Sequence, residues 1–77
     1  MKIELVRFED GTADFEIGDL TARCSVSDWD LGEFLNGELI IKPHAWFDMN
    51  DDEVAKPEWF GRKELFVLND VFERCLK

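Results

Sequence analysis

Residues 2–26 read KIELVRFEDGTADFEIGDLTARCSV, and how this stretch turns decides the fold. Apolar and polar residues alternate closely enough to predict strands, whose successive side chains point to opposite faces. Two turn signals divide it. Glu9-Asp10-Gly11 suits a three-residue hairpin loop with glycine in the final, left-handed position. Gly18-Asp19 suits a two-residue loop with glycine first, as a type II′ turn prefers. The first loop pairs Ile3 with Ile17 and Leu5 with Phe15, and the second pairs Ile17 with Leu20, Phe15 with Ala22 and Ala13 with Cys24. Although each register is fixed independently, both gather Ile3, Leu5, Ala13, Phe15, Ile17, Leu20, Ala22, Cys24 and Val26 on one apolar face. Val6, Phe8, Thr12, Asp14, Glu16, Thr21, Arg23 and Ser25 fall on the reverse, where Asp14 stands across from Arg23 and water is the expected neighbour.

A sheet with one greasy face needs a cover. Leu65, Leu68, Val71, Phe72, Cys75 and Leu76 share a stripe at helical spacing, with Lys63, Asn69, Asp70, Glu73, Arg74 and Lys77 opposite, so the C-terminal segment is expected to supply it. Asp70 with Arg74 and Glu73 with Lys77 add ion pairs of favourable orientation along this helix. Between sheet and cover, Ser27 followed by Asp30 resembles a capping box, and Leu31, Phe34 and Leu35 have helical spacing. Asn36-Gly37 fits either a helix cap or a type I′ hairpin, and the N-terminal signals favour a short helix over residues 28–36. A fourth strand is then expected over 38–42, ending before Pro43. The expected architecture is α+β: one small domain over residues 1–77, an antiparallel meander of three to four strands with the C-terminal helix on one face.

Seventy-seven residues with 18 Asp plus Glu, 9 Lys plus Arg and a net charge of −9 exclude several functions. Phosphate backbones and anionic membranes are bound through cations, here outnumbered two to one, so neither nucleic acid nor a membrane is an expected ligand. No apolar run is long enough to span a bilayer, and Met1-Lys2-Ile3-Glu4 turns charged too soon for a signal sequence, so a cytoplasmic location is expected. Cys24 and Cys75 match neither a metal nor a redox spacing and are expected as buried thiols. His44 is the only histidine and has no partners placed for a triad or a zinc site, and no glycine motif cradles phosphate. Asp48, Asn50 and Asp52 match the opening of a calcium loop, yet Glu53 and Trp59 occupy the positions that require Gly and Glu. No catalytic residue, metal or cofactor is therefore expected.

Charge layout is the feature above background. Residues 9–38 hold nine acidic side chains against Arg23 alone, and residues 48–53 carry four more, whereas 54–77 are nearly balanced. Three tryptophans and seven phenylalanines exceed what a small core encloses, and Trp46-Phe47 and Trp59-Phe60 flank the acidic 48–53 run. Asp14, Glu16, Asp28, Asp30, Glu33, Trp46, Asp48, Asp51, Asp52, Glu53 and Trp59 are accordingly the candidate partner-binding residues. They suit a non-enzymatic module that presents carboxylates to a protein with a basic, nucleic-acid-binding surface. In length, acidity and lack of catalytic motifs the chain resembles phage-encoded inhibitors and nuclease immunity proteins, a likeness of composition that transfers no site. The alternative is an assembly subunit, such as a homodimer, that associates through exposed aromatics.

Overall fold

The computed structural model describes residues 2–76. β1 (Ile3–Glu9), β2 (Thr12–Ile17) and β3 (Leu20–Ser25) form the expected meander, followed by α1 (Asp28–Leu35), β4 (Pro43–Phe47), β5 (Glu53–Val54) and α2 (Arg62–Leu76). The sheet is antiparallel with order β1-β2-β3-β4-β5, one short strand more than expected. Ile3 pairs with Ile17, Leu5 with Phe15, Phe15 with Ala22 and Ala13 with Cys24, so the predicted registers hold along the heart of the sheet.

The first hairpin departs from expectation at its tip. Glu9 pairs with Thr12, leaving Asp10 (φ 53) and Gly11 (φ 74) as a two-residue loop with both residues left-handed, the signature of a type I′ turn. A shorter loop leaves one residue too many in β1, and Val6 takes it up as a bulge between Leu5 and Arg7. Every later side chain of β1 therefore changes face. Arg7 now lies opposite Asp14, and Phe8 leaves the reverse face to pair with Ala13 and meet the Phe72 ring at 5.2 Å.

The fourth strand occupies 43–47 rather than 38–42. Pro43 opens it, at the strand position where a missing N–H costs no ladder bond. The 38–42 segment satisfies its backbone elsewhere. Asn69, expected on the solvent side of α2, is buried, and its Oδ1 accepts from the Ile41 N–H at 2.9 Å while its Nδ2 donates to the Ile41 carbonyl at 3.1 Å. One side-chain amide thus replaces a strand partner for Ile41, which is buried in the core.

α1 forms as its caps dictate. Ser27 Oγ accepts from Asp30 N–H and the Asp30 carboxylate accepts from Ser27 N–H, a complete capping box. At the other end Gly37 (φ 80) donates to the Phe34 carbonyl and Glu38 N–H donates to the Glu33 carbonyl, the paired bonds of a Schellman cap. Asn36-Gly37 is a helix terminus and not a hairpin.

α2 covers the apolar face as expected. Leu68 and Phe72 are fully buried, and Phe72 meets Phe8, Phe15 and Phe34 edge-on within 6.0 Å. Cys75, expected inside, is exposed, while Leu76 beside it packs against the core. Asp70 pairs with Arg74 at 2.6 Å, and the expected Glu73–Lys77 pair lies outside the described residues. Among the described residues no helix is long and apolar enough to cross a membrane.

Candidate functional site

The turns of the sheet decide where the carboxylates go. Antiparallel pairing puts the β1–β2 turn and the start of α1 at one end, because Glu9, Thr12 and Ser25 are in register and the Val26 N–H donates to the Gly11 carbonyl at 2.7 Å. The β2–β3 and β4–β5 turns lie at the other, where Ile17 pairs with Leu20 and Phe47 with Glu53. Roughly 17 Å of strand separates the two ends. That exceeds the screening length of about 8 Å at physiological salt, so they act as separate acidic poles.

The pole at the β2–β3 end is the denser. Glu16, Asp19, Asp48 and Asp51 line one open depression of about 340 Å³ with no cation in its lining. The Asp48 carboxylate also builds the turn that places it, accepting from Asn50 N–H at 2.8 Å and Asp52 N–H at 3.0 Å. Asp51 takes the left-handed conformation (φ 64) there, which an Asp side chain tolerates better than most. Glu16 stands directly across from Glu4, a like-charge neighbour, and Lys2 eases the crowding by bridging to Glu4 at 2.8 Å. That contact, with Glu16 adding, holds the Lys2 ammonium above its usual pKa.

Two large apolar side chains flank the pole. Met49, in the same depression, is 79% exposed. Trp59 stands beside Gly18-Asp19 on the neighbouring wall, half in water, with its ring edge-on to Trp46 and Phe60 at 6.3 Å. Both apolar side chains thus stand in water beside carboxylates that form no ion pair among the described residues.

The remaining candidates divide. Asp28 is exposed at the α1 pole, whereas Asp30 and Glu33 are half-buried there, Asp30 being committed to its cap. Asp52 and Glu53 are exposed on the β4–β5 hairpin, and Glu53 belongs to β5 rather than to a loop. Two candidates are removed. Asp14, expected in water, is only 6% exposed because Arg23 lies over it with Nε–Oδ1 at 2.9 Å and a second contact at 3.3 Å. The Asp14 contact holds the Arg23 guanidinium above its usual pKa, and that guanidinium also stacks 4.6 Å from the centre of the Phe47 ring. Trp46 is 4% exposed, closed in by Phe60 at 4.7 Å.

Asp19 and Met49 were missed. Asp19 reads as a turn residue and Met49 as part of an exposed acidic loop, and only closure of the β4–β5 hairpin beside the β2–β3 turn brings them together. No protein-family model, curated protein or solved structure matches the chain. Among the described residues no group of three His, Cys, Asp or Glu side chains could hold a metal ion. Cys24 is no nucleophile, since burial, helped by the Asp14 charge, pushes its thiol up to about 12.

Proposed function

We propose that this chain is a non-enzymatic protein-binding module that presents its β2–β3 pole to a partner with a cationic surface. The observation that carries the reading is the convergence of Glu16, Asp19, Asp48 and Asp51 from two turns remote in sequence, with no cation lining the depression they share. Crowding like charges costs folding stability, and the nearest cations, Lys2 beside Glu16 and Arg23 beside Asp51, are bridged to Glu4 and Asp14 instead. A basic groove, such as one that holds nucleic acid, would find carboxylates where it expects phosphates, with Trp59 and Met49 supplying apolar contact. Such a complex is an inhibitor's or immunity protein's mode of action.

Affinity capture from an extract of the source cells, at low salt and again at 1 M, tests it. A basic protein retained at low salt and released at 1 M supports the reading, since rim charges are screened over about 3 Å at that ionic strength. Retention unchanged at 1 M salt refutes its electrostatic half.

Self-association is favoured by a different observation: Trp29 is 70% exposed on α1, far from the Trp59 pole. Light scattering separates the two, because a salt-insensitive homo-oligomer supports assembly and a monomer supports a basic partner.

A further inference from the structure

We propose that the cleft between β4 and the start of α2 binds a small amphipathic anion, a carboxylate carried on an aromatic or aliphatic body. The cleft measures about 490 Å³, within the range that encloses small molecules. Trp46 and Phe60, both 4% exposed, form its floor, while Phe66 stands half in water at the rim. Lys42, Lys56 and Arg62 stand round the same cleft, and no carboxylate lines it.

That grouping runs against the composition. The chain has only nine Lys and Arg among 18 acids, and three of the nine converge here. The ion pairs among the described residues belong to Lys2, Arg7, Arg23 and Arg74, so none of the three cleft cations is within ion-pair distance of a carboxylate among the described residues. Arg62 is held over the Phe66 ring at 5.7 Å, and both residues line the cleft. An apolar slot rimmed by uncommitted cations offers burial to a hydrophobic body and charge-assisted hydrogen bonds to a carboxylate. The three rim cations repel a cation, and the apolar half does not suit a bare inorganic anion. The site shares no lining residue with the acidic depression, so each reading can fail alone.

Three probes with one body and different heads decide it: 4-phenylbutyrate, 4-phenylbutanol and 4-phenylbutylamine, titrated while the backbone amide and Trp46 indole N–H resonances are followed. The carboxylate is expected to shift signals around Trp46, Phe60 and Phe66 and to bind at least about tenfold tighter than the alcohol, with the amine weakest. The double variant Lys42→Gln, Arg62→Gln is expected to lower carboxylate affinity to that of the alcohol while leaving the melting temperature unchanged, because both side chains are exposed. Equal affinity for carboxylate and alcohol, shifts centred elsewhere, or no shift with any probe at millimolar concentration would each overturn the proposal.

Discussion

Replacing Asn69 with leucine removes the side-chain amide that stands in for a strand beside Ile41. Leucine has the same branching and number of heavy atoms as asparagine but is bulkier, so no cavity is created and any overpacking adds to the loss. What is lost is the partner of the Ile41 N–H at 2.9 Å and of its carbonyl at 3.1 Å, both in a buried setting. The bond from Nδ2 to the Leu65 carbonyl at 2.8 Å also goes, but that carbonyl keeps its partner within the helix. An unsatisfied buried backbone group costs about 1–3 kcal/mol, and some relaxation toward water is available at one of the two. The net loss is therefore about 2–4 kcal/mol, against a total stability of roughly 4–12 kcal/mol for a chain this long. With a urea slope of about 1 kcal/mol per molar, the unfolding midpoint should fall by roughly 2–4 M. Hydrogen exchange adds a local readout: the Ile41 amide, slow in the parent protein, should exchange freely in the variant. A midpoint within 0.5 M of the parent, or continued protection of Ile41, would refute the idea that Asn69 holds the 38–42 segment in place.

Other consequences can be checked in the same apparatus. Leu68→Ala and Phe72→Ala should each cost about 2–5 kcal/mol in urea unfolding, since both side chains are fully buried and Phe72 touches three other rings. Gly11→Ala should destabilise more than Gly37→Ala. Both positions are left-handed, at about 1–2 kcal/mol for a Cβ, but at Gly11 that atom would also press on the Val26 carbonyl at 3.1 Å, whereas at Gly37 nothing lies within 4 Å. At pH 8 a thiol reagent should modify one cysteine per native chain, the exposed Cys75, and two in urea. The Cys24 thiol is raised from 9.0 to about 12 in the native state. The native state thus holds this proton after the unfolded chain has released it, and stability should fall by about 1.4 kcal/mol per pH unit as pH rises from 9 toward 12. Urea titrations across that range should lose this slope in Cys24→Ala; an unchanged slope would show that other groups carry it.

Sequence was most informative where local rules and burial agree. Ile3, Phe15, Ile17, Ala22 and Cys24 could be assigned to one face because a single-residue slip would turn them all outward. The Ser27–Asp30 cap and the Leu68–Phe72 stripe were legible for the same reason: each is set by neighbours within one or two helical turns. Failures arose where a distant partner intervened. Nothing near Ile41 reveals that Asn69, 28 residues away, would satisfy its backbone, so Glu38 to Lys42 read as a strand. The Asp10-Gly11 dipeptide allowed both a two- and a three-residue loop, and the bulge at Val6 that accompanies the shorter one turned Phe8 to the covered face, where its ring meets Phe72 while staying 38% exposed.

The functional surface was half legible for related reasons. Acidic segments could be counted along the chain, and Glu16, Asp48, Asp51 and Trp59 were among the candidates. Which of them meet depends on two hairpin turns ending at the same edge of the sheet. Asp14 and Trp46 were misplaced because an acid on a strand's polar side and an aromatic beside a turn look alike in sequence whether buried or wet. Arg23 decides the first and Phe60 the second. Asp14 consequently belongs in no test of the acidic surface, since altering it would strand a guanidinium and confuse binding with folding.

The most direct test compares two variants of equal net charge for retention of a captured basic partner. Glu16→Gln, Asp19→Asn, Asp51→Asn neutralises the β2–β3 pole while sparing Asp48, which builds the turn, and Glu58→Gln, Asp70→Asn, Glu73→Gln removes the same charge from the α2 side. Loss of the complex in the first variant and retention in the second is the predicted result. Equal weakening in both would mean that overall charge, and not the converging turns, attracts the partner, contradicting the account.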